Sequence, residues 1–341
     1  MGLEERKFMI LQAIIDDYIT TAMPVGSRTI SRKAGVGYSP ATIRNEMSDL
    51  EALGYLDQPH TSAGRVPSIK AYRLYVDHLM KTSRLSEAEC ERMHEYLNSR
   101  SGKIQNVIRA AAEVLSDITR YTSVIVAPKL RTLRIKHVQL VPVNDDTALM
   151  IIVTNASIVR DAVIHIPDGL DSDDLYMISR MLTERLRDKP MEAVRQAFSE
   201  LLREAEINRK LLGETLRVIE DRLDAEDASD MVIAGGTNLL SYPEYSDVDK
   251  ARNFLMAIES RDVLSRLLKQ TGGMEVTIRI GPENGVPELN DCSTVTCSYR
   301  VGGENVGTIG VIGPTRMNYN RTASVLSFMG QALSEVLADR K

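Results

Sequence analysis

No stretch of the sequence approaches the ~18–20 consecutive apolar residues needed to cross a bilayer. The opening residues, MGLEERKFMILQ, alternate charge where a secretory leader needs a basic flank, an apolar core and a cleavage site. Gly2 follows Met1, yet Arg6 stands where a myristoylation pattern needs Ser or Thr. A cytoplasmic protein with no membrane partner is expected, associated with the nucleoid only when bound there. Cysteine is scarce. Cys90, Cys292 and Cys297 are too few for a disulfide framework, and an odd count suits a reducing compartment. Zinc is poorly served too, because Cys90 and His94 share a helical face at i, i+4 but no second pair follows at finger spacing. Cys292 and Cys297, five apart in a strand-like segment, point to opposite faces. Neither metal nor cofactor is expected.

Catalytic sets are missing as well. Gly37-Tyr38-Ser39-Pro40-Ala41 has the outline of a nucleophile elbow, but Ala41 replaces the second glycine and a turn precedes it instead of a buried strand. Gly307, Gly310 and Gly313 recur without dinucleotide spacing or a Walker lysine. Gly235-Gly236-Thr237 offers an anion cradle if a helix starts there, and otherwise reads as a plain turn, the reading preferred here. No enzymatic activity is expected.

Nor does either charge dominate. With 42 Lys+Arg against 47 Asp+Glu, the formal net charge over 341 residues is −5. That average conceals a neutral N-terminal segment: residues 1–80 hold nine basic and nine acidic side chains. Between Arg28 and Arg73, seven basic residues (Arg28, Arg32, Lys33, Arg44, Arg65, Lys70, Arg73) face four acidic ones. An acidic protein binds DNA when one small module presents a basic face. An ordinary solvated surface has the same composition, so the surrounding pattern must decide.

That pattern is a winged helix-turn-helix. Leu3, Leu11, Ile14, Ile15 and Tyr18 recur at helical spacing over about 4–20, ending before Met23-Pro24. Ser27 caps a short second helix through about Ala34, and Gly35-Val36-Gly37-Tyr38 makes a tight turn. Ser39-Pro40 opens a third helix that Gly54 closes. On it, Ile43, Met47 and Leu50 point inward, while Ala41, Asn45, Ser48 and Ala52 point outward with Thr42 and Arg44 on the flanks. Small and hydrogen-bonding residues suit a major groove, where Asn pairs bidentately with adenine. Ser39, Thr42, Arg44 and Asn45 are therefore the leading contact candidates, joined by Ser48 and by Arg28 and Lys33 on the preceding helix. Tyr55 to Ser68 then reads as a hairpin with a polar tip, a wing. His60, Thr61, Ser62 and Arg65 lie where a wing meets phosphates or the minor groove.

The strings Gly37-Tyr38-Ser39-Pro40-Ala41-Thr42-Ile43-Arg44-Asn45-Glu46-Met47 and Gln58-Pro59-His60-Thr61-Ser62-Ala63-Gly64-Arg65-Val66-Pro67 closely resemble the HrcA family of bacterial heat-inducible transcription repressors. Thr237-Asn238-Leu239-Leu240, Arg279-Ile280-Gly281 with Glu283-Asn284, and Gly310-Val311-Ile312-Gly313-Pro314-Thr315-Arg316-Met317 extend the resemblance to nearly the whole chain. About 168–230 carries no matching motif, and Ser68-Ile69-Lys70-Ala71-Tyr72 departs mildly from the family pattern. The resemblance implies a homodimer that binds an inverted-repeat operator, CIRCE, upstream of chaperone operons. It also implies a partnership with the GroEL chaperonin, whose occupation by misfolded proteins relieves repression.

The fold class expected is α+β multidomain, and the resemblance implies that the winged helix-turn-helix is followed by a GAF-like α/β domain with an inserted dimerisation domain. The expected partition is 1–80 for the DNA-binding domain and 81–128 for a linker helix and the first GAF-like part. The insert takes 129–225, and the GAF-like remainder 226–341. Within the insert, strands 133–143, 148–154 and 158–166 precede three helical patterns: Leu175/Ile178/Leu182/Leu186, Val194/Ala197/Phe198/Leu201 and Leu212/Leu216/Ile219/Leu223. Surplus apolar helix faces in 172–225 are expected to form the dimer contact, the alternative being that they are simply core. One helix is expected near 247–269. From another class, the rival reading is a small-molecule sensor whose ligand sits in the GAF-like domain, with DNA binding as output.

Overall fold

The computed structural model describes residues 5–33, 35–60, 63–80, 84–98, 104–126, 134–154, 159–167, 170–189, 193, 196, 231–269, 276–301 and 304–338. Helix α1 (Glu5–Thr21) buries Leu11, Ile14 and Ile15 of the expected stripe, with Ile10 beside them, and leaves Tyr18 half-buried. Leu3 and Ala34 lie outside the described residues. Helix α2 (Ser27–Ser31) starts one residue early, because Gly26 takes the cap position and its carbonyl receives the Thr29 and Ile30 N–H groups. Ser27 is thereby buried in the first turn and does not cap it. Helix α3 (Pro40–Ala52) begins as expected, with the Ser39 hydroxyl accepting the Thr42 N–H at 3.1 Å and Pro40 at the first helical position. Gly54 ends it at φ +76°, where the Gly54 and Tyr55 N–H groups reach back to the Glu51 and Leu50 carbonyls.

Strands β1 (Leu56–Asp57) and β2 (Val66–Pro67) pair antiparallel, Leu56 opposite Pro67. A third segment joins them, since Val25 and Arg65 exchange both backbone hydrogen bonds at 2.8 and 2.9 Å. Gly64 is required there: a Cβ would lie 2.5 Å from the Val25 backbone. Ser68 caps α4 (Ile69–Leu74), which runs on as one π-helical turn, Tyr75–Leu79.

The body follows. After α5 (Glu87–Asn98) and α6 (Ile104–Thr119), β3 (Thr122–Val126) enters a sheet. The chain then builds a separate unit: β4 (Ile135–Pro142), β5 (Thr147–Thr154) and β6 (Val159–His165) meander antiparallel, and α7 (Ser172–Leu186) covers one face. Leu175, Ile178, Leu182 and Leu186 are buried there against Val138, Leu140, Met150 and Ile164. This stripe is the unit's own core, so it is not the surplus face expected for a dimer contact. Edge strand β4 has its Val138 and Leu140 N–H groups satisfied by the Thr183 and Ser179 hydroxyls of α7, at 3.0 and 2.8 Å. The other two helical patterns of 172–225 lie outside the described residues.

The chain returns through β7 (Met231–Ala234), α8 (Val248–Glu259), α9 (Arg261–Lys269), β8 (Thr277–Ile280), β9 (Cys292–Val301), β10 (Glu304–Pro314) and α10 (Tyr319–Ala338). The helix expected near 247–269 is two helices, because Ser260 leaves helical geometry and its carbonyl and hydroxyl accept the first N–H groups of α9. Among the described residues, the body's other five strands form one antiparallel sheet in the order β7-β3-β10-β9-β8. Helices α6 and α10 cover the face bearing Ile125, Val295, Cys297, Tyr299 and Val311. Helices α8 and α9 cover the other, with Val124, Cys292 and Ile312. Cys292 and Cys297 thus do point to opposite faces, both buried.

Candidate nucleic-acid interface

Helix α3 stands on a core of Ile43, Met47 and Leu50, all buried against α1 and α2. Fully burying an Ile or Leu side chain contributes about 1.5–3 kcal/mol, enough to fix the helix's rotation. Its outward face is Ala41, Asn45, Ser48 and Ala52, all exposed, with exposed Arg44 and half-buried Thr42 beside them. Ser39 is exposed and shares a 2.9 Å hydrogen bond with the Thr42 hydroxyl, so the two side chains at the helix start hold each other in place. Arg28 is exposed on α2, and His60 on the wing. Thr61 and Ser62 lie outside the described residues.

Two of the candidate cations are committed elsewhere. Lys33 Nζ lies 2.6 Å from Asp17 on α1. Arg65 pairs with Glu51 on α3, Nε and Nη2 at 2.9 and 2.7 Å from one carboxylate oxygen, and so ties the wing's base to that helix. Lys70 is also occupied, donating to the Leu53 carbonyl at 2.8 Å over the Tyr55 ring. Arg28, Arg32 and Arg44 are exposed, and among the described residues none of the three pairs with a carboxylate.

The inward-facing Glu46 was not anticipated. It is 4% exposed, in ion pairs with Arg6 and Lys7 of α1. Lys7 also reaches Asp49 at 3.0 Å, and hydrogen bonds to Glu46 and then Asp49 push its ammonium pKa up. Glu46 and Glu51 are thereby drawn toward α1 and the wing, while Asp49, one turn from Asn45 and 60% exposed, is held by Lys7. The signal was present as Arg6-Lys7 in the opening residues, but one sequence cannot say which of its charges meet.

Other sequence features resolve into packing. His94 stacks edge-on against Phe328 at 5.2 Å. Gly235 forms a turn whose carbonyl accepts from Thr122, and the following Asn238 is bound to Ser116 and the Tyr121 carbonyl. Asn284 is a buried staple that donates to the Gly281, Leu289 and Cys292 carbonyls and accepts from Thr294. Between α9 and the five-stranded sheet lies a cavity of about 10 Å³, walled by apolar atoms of Val124, Leu264, Leu268, Gly310 and Ile312. That is room for about one water molecule. Among the described residues, no helix is long and apolar enough to cross a membrane, and no three His, Cys, Asp or Glu side chains gather as a metal site.

A small helical core that presents one helix outward, with a three-segment wing fastened to its end, defines a winged-helix DNA-binding protein. The family model described as the winged helix-turn-helix transcription repressor, HrcA DNA-binding, matches residues 3–82, and the HrcA protein C-terminal domain matches 105–323. The heat-inducible transcription repressor HrcA of Ruminiclostridium cellulolyticum is 44% identical over 98% of this chain and 97% of its own length. That of Halalkalibacterium halodurans is 40% identical over 99% and 98%. A crystal structure of a hypothetical protein, 28% identical, aligns over the whole of both chains with a TM-score of 0.67. The chain belongs to the HrcA family of heat-inducible transcription repressors.

Proposed function

We propose that this repressor acts as a homodimer, with two α3 helices reading the half-sites of an inverted-repeat operator, CIRCE, upstream of chaperone genes. The observation that carries the reading is the outward face of α3: small and polar, with Glu46 buried, Asp49 neutralised by Lys7, and Arg44 and Arg28 exposed without a carboxylate partner among the described residues. Asn45 and Ser48 meet base edges in this reading, and Ser39, Thr42, Arg44 and Arg28 hold phosphates. His60, Thr61 and Ser62 reach the neighbouring backbone from the wing. Lys33 and Arg65 act through the ion pairs that place the turn and the wing.

Residues 81–128 and 226–341 form a GAF-like domain in this proposal, and 129–225 an inserted dimerisation domain. The chain path supports the partition, since β3 and β7 are sheet neighbours although 127–230 lies between them. Twofold operators call for twofold proteins. The insert offers exposed apolar residues for that contact: Val159, Val163, Tyr176 and Met177 are more than half exposed, with Val163 at 64%. The free dimer holds its heads off the half-site spacing, and GroEL shifts it toward the competent arrangement by binding that arrangement more tightly. The ligand-sensor reading draws no support from the cavity beneath α9, since ligand pockets run to about 300 Å³ or more.

The test is titration of labelled inverted-repeat and scrambled duplexes at two salt concentrations, with and without GroEL. Preference for the inverted repeat is expected, strengthened by GroEL. Equal binding to both duplexes under every condition would overturn the assignment.

A further inference from the structure

The head is fastened to the body by a set of polar contacts, most of them part-buried. Arg316 follows β10 and its side chain is only 9% exposed. Its Nε pairs with Glu244, Nη2 lies 3.3 Å from the same carboxylate, and Nη1 donates to the Ile19 carbonyl at 2.9 Å. The Tyr242 ring lies 5.3 Å from its guanidinium carbon and stacks on Tyr121. Ile19 is in the last turn of α1, where carbonyls have no partner within the helix and a cation is favoured. That turn holds no basic residue of its own, so the body's arginine supplies one.

One turn back, Asp16 accepts a 3.0 Å hydrogen bond from the Tyr75 hydroxyl, which in turn accepts one from Asn320 of α10 at 3.0 Å. Arg73 completes the joint, reaching Glu283 and the Ile278 carbonyl. The rings of Tyr72 and Tyr319 meet between these contacts, 6.1 Å apart. Two buried atoms, Tyr72 Oη and Asn320 Oδ1, have no hydrogen bond there. Directional bonds of this kind give the joint a defined angle.

We propose that Arg316, held by Glu244, and Tyr75, held by Asn320, are positioning residues that set the angle of the DNA-reading head on the body, and so determine which half-site spacing the dimer accepts. The proposal rests on the homodimeric reading of an inverted repeat. One added base pair displaces a half-site by about 3.4 Å and turns it by roughly a tenth of a revolution. A rigid joint makes that mismatch costly; a loosened one absorbs it.

Arg316→Gln and the milder Tyr75→Phe separate this from simple unfolding, because neither residue lies on the DNA face. Each variant, with dimer mass and helical content verified, is titrated against a single half-site, the native inverted repeat, and repeats with one base pair added or removed. The expected result is half-site affinity within about twofold of wild type and a spacing preference reduced from about tenfold toward unity. Wild-type spacing preference retained by both variants would overturn the joint while leaving the dimer reading intact. Wild type binding the inverted repeat no better than a single half-site would overturn both. An Arg316→Gln chain that fails to fold leaves the decision to Tyr75→Phe.

Discussion

Replacing Arg65 by Ala separates two roles that a cation on a wing can have. Each protein charge that neutralises a phosphate contributes about −0.9 to the slope of log K against log salt. Arg28, Arg32 and Arg44 are the exposed head arginines with no carboxylate partner among the described residues. Three such charges on each of two heads give a slope near −5, or a loss of about 2 × 10³ in affinity between 50 and 200 mM salt. If Lys33 and Arg65 also left their carboxylates for phosphates, the slope would approach −9 and the loss about 3 × 10⁵. The geometry favours the first figure, because Arg65 is anchored to Glu51 at 2.9 and 2.7 Å and Lys33 to Asp17 at 2.6 Å. Arg65→Ala is therefore expected to leave the slope unchanged. A partly exposed ion pair contributes about 1 kcal/mol at most and the dimer carries two, so affinity should fall no more than roughly thirtyfold, equally at every salt concentration. The charge swap Arg65→Glu with Glu51→Arg should recover most of that loss, whereas Arg44→Ala should flatten the slope by about 2. Fluorescence anisotropy on a labelled operator across a salt series reads all three. A slope reduced by about 2 in Arg65→Ala, with no rescue by the swap, would show a phosphate contact and refute the argument.

Four further outcomes follow from local structure. Ser39→Ala removes the cap of α3 and should cost about 1 kcal/mol in denaturant unfolding, with Ser39→Asp restoring it; no change would mean that the cap is idle. Gly64→Ala drives a Cβ into the Val25 backbone and should destabilise the head by roughly 1–3 kcal/mol while weakening operator binding, and an unperturbed melt would contradict the close approach. Burial pushes the Cys292 thiol up to about 12, and Cys297 is also raised by burial, so at pH 8 an alkylating reagent should modify Cys90 first and the other two only on unfolding. A folded value above the unfolded one means that stability from the neutral Cys292 thiol is intact below about pH 8.5 and lost as pH rises toward 12; a Cys292→Ala chain with an equally steep alkaline decline would contradict this.

Much of the head was legible because its signals are local. A hydroxyl before proline, a glycine at positive φ and a 3.6-residue stripe each act within a few residues, and α3 and the wing appear where those signals put them. The error at Ser27 has the same origin: glycine and serine both serve as caps, and only the backbone path after Pro24 selects Gly26. Long-range pairings were illegible. Nothing in the sequence links Arg6 and Lys7 to Glu46, Arg65 to Glu51, or Arg316 to Ile19, because ion pairs and side chain–carbonyl bonds leave no periodic trace. The stripe on α7 shows a further limit, since periodicity tells that a helix face is buried but not against what.

The disposition of those pairs also answers how a chain of net charge −5 presents itself to a polyanion. A neutral head with evenly scattered charges would gain nothing near phosphate, because each attraction would be offset by a nearby carboxylate. Here four of the head's carboxylates are held in ion pairs. Glu46 is buried between Arg6 and Lys7, Asp49 meets Lys7, Glu51 holds Arg65, and Asp17 holds Lys33. Those four carboxylates are balanced by cations that also fasten α1 and the wing to α3 and the turn to α1, while Arg28, Arg32 and Arg44 stay exposed. The same ion pairs thus build the head and polarise it. A substitution such as Lys7→Met should accordingly weaken operator binding from a position off the DNA face, by returning negative charge to the side of α3 that carries Asp49.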